Sequence, residues 1–180
     1  LALGNYTELP REARPAMAGM VRKYVPEDWR LNALSGPAMH TMSKGGYAGV
    51  TDYLDDIGAS REERRYIAED VAPSGLGDAQ GRVKPDAIGP MHEWLQEVAP
   101  EDADGIAGSV LGNLWSETAE ARVGWVEGLL ANGAGDEVLV GFLTGEHPID
   151  DEAEARRLAG RIEDPARRAE VLDHLKGGGK

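Results

Sequence analysis

The sequence predicts an all-α protein built as a short α-solenoid of stacked helical hairpins, with an irregular multi-helix bundle as the alternative. Apolar residues recur at helical spacings of three and four, and strict apolar/polar alternation, the sign of strands, is absent. Acidic, Gly, Asn and Pro residues separate the apolar segments, as expected where helices stop and start. The 180 residues suffice for one substantial core, so we expect one folding unit.

The C-terminal half contains a repeat of two apolar pairs, each with i,i+4 spacing. The first pair of each copy begins at Trp94, Trp125 and Leu158, and the second at Ile106, Val138 and Val171. The first set is spaced by 31 and 33 residues, and the second by 32 and 33 residues. Each copy is therefore predicted to be two short amphipathic helices. The predicted copies span about residues 46–84, 85–117, 118–147 and 148–176 within a repeat region of 46–180.

The copy at 46–84 is less regular than the later ones. Leu54 and Ile57 take the place of the first helix, and Ile67 and Val71 that of the second. A Gly-rich stretch, residues 73–81, accounts for the extra length before the next copy.

Residues 1–45 are predicted to form an atypical N-terminal helical cap, since the end units of repeat arrays commonly depart from the consensus. One helix is expected from Pro10 to Tyr24, with Pro26 ending it. Gly36–Pro37 and Gly45–Gly46 are expected to interrupt the segment after Pro26.

The helical pairs with a Trp on the first helix, Trp94 and Trp125, resemble the short α-hairpin repeats of tetratricopeptide-like and related bacterial solenoid proteins. The resemblance covers about residues 46–176. It departs from the tetratricopeptide consensus after Trp125, where Val126-Glu127-Gly128-Leu129 comes next without the expected Tyr. The resemblance implies a scaffold that binds other proteins.

Composition excludes several classes of protein. The chain has no cysteine, which excludes disulfides, zinc ribbons and thiol catalysis and fits either the bacterial cytoplasm or the periplasm. The apolar runs are far shorter than the roughly 20 residues that span a bilayer, so no membrane span is expected. The first residue is Leu1, from which we expect a trimmed N-terminus.

The negative charge is concentrated in one part of the chain. The net charge is −13, and residues 86–147 carry −11 of it, with Arg122 as their one basic residue. Such a field repels nucleic acid and attracts basic proteins or peptides. General solubility and a weak divalent-cation site are the competing interpretations of the acidic stretch. The predicted partner-binding residues are Glu93, Glu97, Glu101, Asp102 and Asp104.

The search for chemistry gives one set of metal candidates, His92, Glu93 and Glu97, because the two glutamates share a helix face beside the histidine. A solvated helix face explains the same residues. A calcium loop around Gly105 fails, since Pro100 and Leu111 would stand where carboxylates are required. No catalytic or cofactor-binding residue is predicted, and no cofactor is expected.

These observations favour a non-enzymatic protein–protein interaction or scaffold domain with an acidic surface. The alternative is a small helical metal-dependent binding protein or enzyme with His92, Glu93 and Glu97 near its site. A third interpretation is a structural fragment of a longer repeat protein. The oligomeric state is left open.

Overall fold

The computed structural model describes residues 9–78, 80, 82–146, 149 and 151–177. In the described residues the structure is 75% helical, with nine α-helices and no strand. The all-α prediction is confirmed, and the choice between a solenoid and an irregular bundle stays a prediction. The chain divides into two compact units, Leu1–Gly75 (unit 1) and Leu76–Lys180 (unit 2).

Unit 1 consists of three helices in sequence, with a 3-10 turn at each end. The helices are α1 (Arg14–Tyr24), α2 (Glu27–Asp56) and α3 (Arg61–Val71), and the turns are Arg11–Ala13 and Ala72–Gly75. Helix α2 packs against both α1 and α3. The largest side chains of this core are fully buried, namely Leu34, Tyr53, Leu54 and Ile67.

The predicted Pro10–Tyr24 helix is present as the first 3-10 turn followed by α1. Helix α1 ends at Tyr24 because Val25, which precedes Pro26, adopts an extended backbone (φ −84°, ψ 134°). The expected break at Gly36–Pro37 is wrong, since α2 continues through both residues. Pro37 is buried in the core, and this packing offsets the one backbone hydrogen bond that a proline removes from a helix.

The break predicted at Gly45–Gly46 is present as a kink within α2. Gly46 has φ 60° and ψ −158°, a backbone conformation that favours glycine. Gly58, with φ 56°, follows the end of α2. Helix α3 then begins with a capping box, in which the Ser60 hydroxyl accepts from the Glu63 N–H at 3.2 Å and the Glu63 carboxylate accepts from the Ser60 N–H at 2.8 Å.

Unit 2 consists of six helices in three consecutive pairs, preceded by a 3-10 turn at Pro85–Ala87. The pairs fall within residues 85–117, 118–147 and 148–177. They are α4 (Ile88–Val98) with α5 (Ala103–Gly112), α6 (Ala119–Ala131) with α7 (Glu137–Leu143), and α8 (Glu152–Ala159) with α9 (Pro165–Gly177).

The core of unit 2 uses the residues of the sequence repeat. The buried members are Trp94, Val98, Ile106, Val110, Leu129, Val138, Phe142, Leu158, Ile162 and Val171. Leu114, Trp125 and Leu175, which the pattern also placed in the core, are half-buried. Leu114 lies beyond the last residue of α5, where the helical periodicity no longer sets its direction.

Helices α5 and α7 touch backbone to backbone. A Cβ atom at Gly108 would lie 2.1 Å from the Val138 carbonyl oxygen, and one at Gly141 would lie 2.3 Å from the Gly105 carbonyl oxygen. Glycine is therefore required at both crossing positions. Gly108 and Gly141 are 33 residues apart, as are Gly105 and Val138, so the contacts are symmetric at an offset one residue longer than the 32 that separate Ile106 from Val138.

We predict that Gly108→Ala destabilises unit 2 by about 3 kcal/mol or more, because the added methyl group forces α5 and α7 apart. Urea unfolding gives the size of the loss, and hydrogen exchange locates it in α5 and α7. The control is Gly124→Ala on α6, where a Cβ meets nothing within 4 Å. That change removes a helix-interior glycine and should raise stability by roughly 0.5–1 kcal/mol. Equal effects of the two substitutions would contradict the close crossing.

Candidate functional site

The predicted acidic surface is exposed at its centre. Glu93 and Glu97 lie one turn apart on the outer face of α4, and Glu101 is exposed in the turn after that helix. Neither Glu93 nor Glu97 takes part in an ion pair or hydrogen bond with another described residue. Asp102 is half-buried at the N-cap of α5. Glu93 and Glu97 are therefore open to a partner, although nothing in their arrangement selects one.

Asp104, by contrast, joins three segments of unit 2. Its Oδ1 lies 2.6 Å from the Nε2 of His92 on α4, and its Oδ2 accepts a 2.7 Å hydrogen bond from the Gly135 N–H. His92 is only 6% exposed. Both oxygens of Asp104 thus bind partners within the fold, which indicates a structural role for this carboxylate.

The three metal candidates do not come together. His92 is buried with its ring nitrogen on Asp104, whereas Glu93 and Glu97 are exposed. Within the part of the chain that the structure describes, no group of three or more His, Asp or Glu side chains could hold a metal ion. The geometry of α4 consequently gives the metal hypothesis no support.

A more distinctive surface lies in unit 1, where α1 and the start of α2 border an open apolar groove of about 990 Å³. We call it the α1–α2 groove. Its lining residues are Leu9, Ala13, Ala16, Met17, Met20, Val21, Tyr24, Val25, Trp29, Asn32 and Ala33.

Three large side chains of the groove are mostly exposed to solvent. The exposed fractions are 58% for Met20, 71% for Tyr24 and 65% for Trp29. Single exposed apolar residues are ordinary on a protein surface, whereas a contiguous apolar patch is uncommon on a monomeric protein. The α1–α2 groove is such a patch.

The width of the apolar stripe on α1 produces this exposure. Met17 and Val21 are buried against the rest of unit 1, while Ala16, Met20 and Tyr24 lie next to them on the helix and remain exposed. An amphipathic helix normally carries one apolar stripe for one core. The apolar stripe of α1 is therefore wider than the part of it that the rest of unit 1 buries.

Ion pairs hold α1 in place at both ends. Near its C-terminal end, Arg22 donates to both carboxylate oxygens of Glu63, with Nε–Oε1 at 2.8 Å and Nη2–Oε2 at 2.7 Å. At its start, Arg14 Nη1 lies 3.0 Å from Asp56 Oδ2, and its guanidinium lies 5.7 Å from the centre of the Tyr53 ring. These ion pairs fix the wall of the groove that α1 forms.

Electrostatics strengthen the Arg22–Glu63 pair. The hydrogen bonds from Arg22 hold the pKa of the Glu63 carboxyl below its ordinary value, burial opposes this effect, and the Ser60 N–H adds to it. The same pairing raises the pKa of Arg22. Both groups stay charged at neutral pH.

The groove offers binding area rather than chemistry. Its described lining residues include no carboxylate, histidine, lysine, arginine, serine or threonine. The polar groups of the described lining are the Asn32 amide and the polar tips of Tyr24 and Trp29. Asn32 Oδ1 already accepts a hydrogen bond from the Tyr66 hydroxyl. No two of these described side chains form an acid–base pair.

The sequence places Met17, Met20, Val21 and Tyr24 on one side of the predicted Pro10–Tyr24 helix but gives them no role in binding. The available signal was that the apolar positions of α1 continue over more of the helix surface than one stripe requires. A second signal of an exposed apolar surface was Trp29, which follows the acidic residues Glu27 and Asp28 at the start of α2.

Comparison of the chain with protein-family models, with curated protein sequences and with solved structures gave no match. The resemblance to tetratricopeptide-like repeats therefore stays a prediction. None of the described helices combines the length and the apolar character that crossing a bilayer requires.

We predict that Glu63→Gln lowers the melting temperature at pH 7, because it removes the charge that binds Arg22, at a cost of about 1 to 3 kcal/mol. The pKa of Glu63 is lowered on folding from its ordinary 4.5. Its contribution to stability is thus complete above about pH 4.5 and is lost as the pH falls through the folded-state pKa. Thermal unfolding followed by circular dichroism should show the gap between the two proteins closing towards pH 2.

The matched control for this experiment is Glu62→Gln, a change at the neighbouring exposed position on α3. It should leave the melting curve almost unchanged at either pH. A gap between wild type and Glu63→Gln that widens in acid would contradict the proposed clamp.

We predict that Asp104→Ala destabilises unit 2 by about 1 to 3 kcal/mol, because the His92 ring and the Gly135 N–H lose their shared acceptor. Glu97→Ala on α4 removes a carboxylate that binds no described residue and should change stability by less than about 0.5 kcal/mol. Urea unfolding of both variants checks the difference. Similar losses would mean that Asp104 is as dispensable to the fold as a surface glutamate.

Proposed function

We propose that this chain is a non-enzymatic protein-interaction module and that the α1–α2 groove is its docking surface. The observation that supports this most directly is the joint exposure of Met20, Tyr24 and Trp29 around one open apolar groove. Aromatic residues and Met are enriched in protein interfaces, and Trp and Tyr supply many of the side chains that dominate binding energy.

The rigidity of the groove supports the same function. Because Arg22–Glu63 and Arg14–Asp56 fix α1, the docking residues need little rearrangement when a partner binds. A preformed surface loses less conformational entropy on association. The described lining residues are apolar apart from Asn32 and the polar tips of Tyr24 and Trp29, which supports a binding role.

The acidic surface of unit 2 supplies a complementary feature of this proposal. Unit 2 carries a net charge of −11, and unit 1 carries −2. A field of this sign accelerates the approach of basic partners and slows acidic ones. In this scheme Glu93, Glu97 and Glu101 contribute to the rate of encounter, and the groove supplies the affinity.

We predict that a benzophenone amino acid placed at Tyr24 crosslinks a discrete partner protein in the cells that naturally produce the chain. The matched control is the same amino acid at Trp115, which is 77% exposed in unit 2 and outside the groove. The purified partner should bind the wild-type chain and bind Trp29→Ser at least about tenfold more weakly.

The outcome against this function is specific. If the Tyr24 and Trp115 positions capture the same proteins, the groove confers no selectivity. If the captured partner binds Trp29→Ser as tightly as wild type, the groove is not the docking surface.

A further inference from the structure

Resting on the proposed function, we further propose that the occupant of the α1–α2 groove is a basic amphipathic α-helix of a partner protein. The groove and the charges beside it carry this inference in three steps: the hydrogen bonds available, the side chains that line it, and the carboxylates that flank it.

The first step concerns hydrogen bonds. Most lining residues belong to α1 and α2, where backbone groups pair along the helix interior, and Asn32 Oδ1 is taken by the Tyr66 hydroxyl. An extended peptide bound there would bury unpaired N–H and C=O groups, at a high energetic cost. A helix satisfies its own backbone, so it is the peptide conformation that this lining accepts.

The second step concerns the lining side chains. Ala13, Ala16 and Ala33 allow a partner backbone to approach closely, while Met20, Tyr24 and Trp29 provide large contact areas. Methionine adapts its shape to irregular apolar surfaces, which suits a groove that receives the Leu, Ile or Phe residues of another helix.

The third step concerns charge. Glu12 precedes the lining residue Ala13, and Glu27 and Asp28 precede Trp29. All three carboxylates belong to exposed residues, and none has an ion pair or hydrogen bond with another described residue. They are therefore available to lysines or arginines beside the apolar stripe of an incoming helix.

The basic residues of the same segment already have partners within unit 1. Arg11 and Arg14 pair with Asp56, Arg22 pairs with Glu63, and Arg30 donates to the Val25 carbonyl oxygen. Lys23 lies over the Tyr24 ring, with Nζ 5.0 Å from its centre. Lys23 and Arg30 are not neutralised by a described carboxylate, so the three carboxylates Glu12, Glu27 and Asp28 and these two cations leave a charge of −1 in this segment, which disfavours an acidic helix.

The same charges disfavour two other occupants. A second copy of the chain would bring its own Glu12, Glu27 and Asp28 to the interface, opposite identical carboxylates. An anionic membrane surface would repel a chain of net charge −13.

The test uses three synthetic peptides of about 18 residues, long enough for several helical turns, with the same leucine stripe and with Lys, Gln or Glu at the polar positions. Binding to the full chain is measured by fluorescence anisotropy of the labelled peptide at near-physiological salt. We expect the Lys peptide to bind most tightly, the Gln peptide less tightly and the Glu peptide least. Tyr24→Ser and Trp29→Ser should each weaken the Lys peptide at least about tenfold. Both positions are exposed, so these variants should fold, as circular dichroism can verify.

A second set of variants tests whether the carboxylates beside the groove contribute to binding. The triple change Glu12→Gln, Glu27→Gln and Asp28→Asn should weaken the Lys peptide about threefold to tenfold and leave the Gln peptide unchanged. The control is Glu62→Gln with Glu69→Gln on α3, which removes two exposed carboxylates that are not among the lining residues of the groove and should leave affinity for the Lys peptide nearly unchanged.

Each contrary outcome is identifiable. If the Lys, Gln and Glu peptides bind alike and all require Tyr24, the docking groove stands and the basic partner is wrong. If none binds, or binding survives Tyr24→Ser, the helix-in-groove inference is wrong, whereas a partner captured from Tyr24 would still support the proposed function. If the chain cosediments with phosphatidylcholine or phosphatidylserine vesicles and Tyr24→Ser abolishes this, the occupant of the groove is a membrane and not a helix. If the chain dimerises in analytical ultracentrifugation and Tyr24→Ser abolishes this, the occupant is a second copy of the chain.

Discussion

The crossing of α5 and α7 is the contact on which unit 2 depends. Gly108 and Gly141 allow the two backbones to touch, so no side chain separates the helices at that point. The neighbouring side chains, such as Ile106, Val110 and Phe142, can then pack into a dry core on either side of the crossing. Arg122, itself buried, donates to the Gly112 carbonyl oxygen at 3.0 Å and so satisfies a terminal acceptor of α5.

Unit 1 follows a different principle, since its helices are positioned by charged groups at their ends and by an apolar core at their centres. The Arg22–Glu63 pair is part of the capping box of α3, so the start of α3 and the end of α1 are fixed by one carboxylate. This arrangement leaves the outer half of the α1 stripe without a function inside the unit. This outer half of the stripe is the surface that we propose for docking.

Much of the fold could be predicted from sequence because helical periodicity is a local signal. The pairs at Trp94, Ile106 and Val138 predicted helices that the structure contains, and Thr118 accepts from the Ala121 N–H as the N-cap of α6. The path of α2 through Pro37 could not be predicted, because the burial of this proline outweighs its local tendency to break a helix.

The groove was missed because periodicity shows which residues are apolar but not how much of an apolar stripe the neighbouring helices cover. Asp104 was interpreted as a surface acid because its partners, His92 and Gly135, lie 12 and 31 residues away.

The glycine contact of α5 and α7 also limits how many copies can assemble through it. Gly108 faces Val138 and Phe142, and Gly141 faces Gly105 and Ser109, so exchanging the two copies reproduces the same contacts. A contact of this kind is isologous and saturates at two members, whereas an open stack needs each copy to present two different faces. The residue 33 positions after Gly141 is His174, which carries no such gap for a neighbouring backbone. Helix α9 is joined to α7 in another way, by Arg167 reaching both oxygens of Glu137 at 3.0 Å. At this contact, α5 and α7 therefore form a closed pair, in which each helix fills the gap that the glycine of the other leaves.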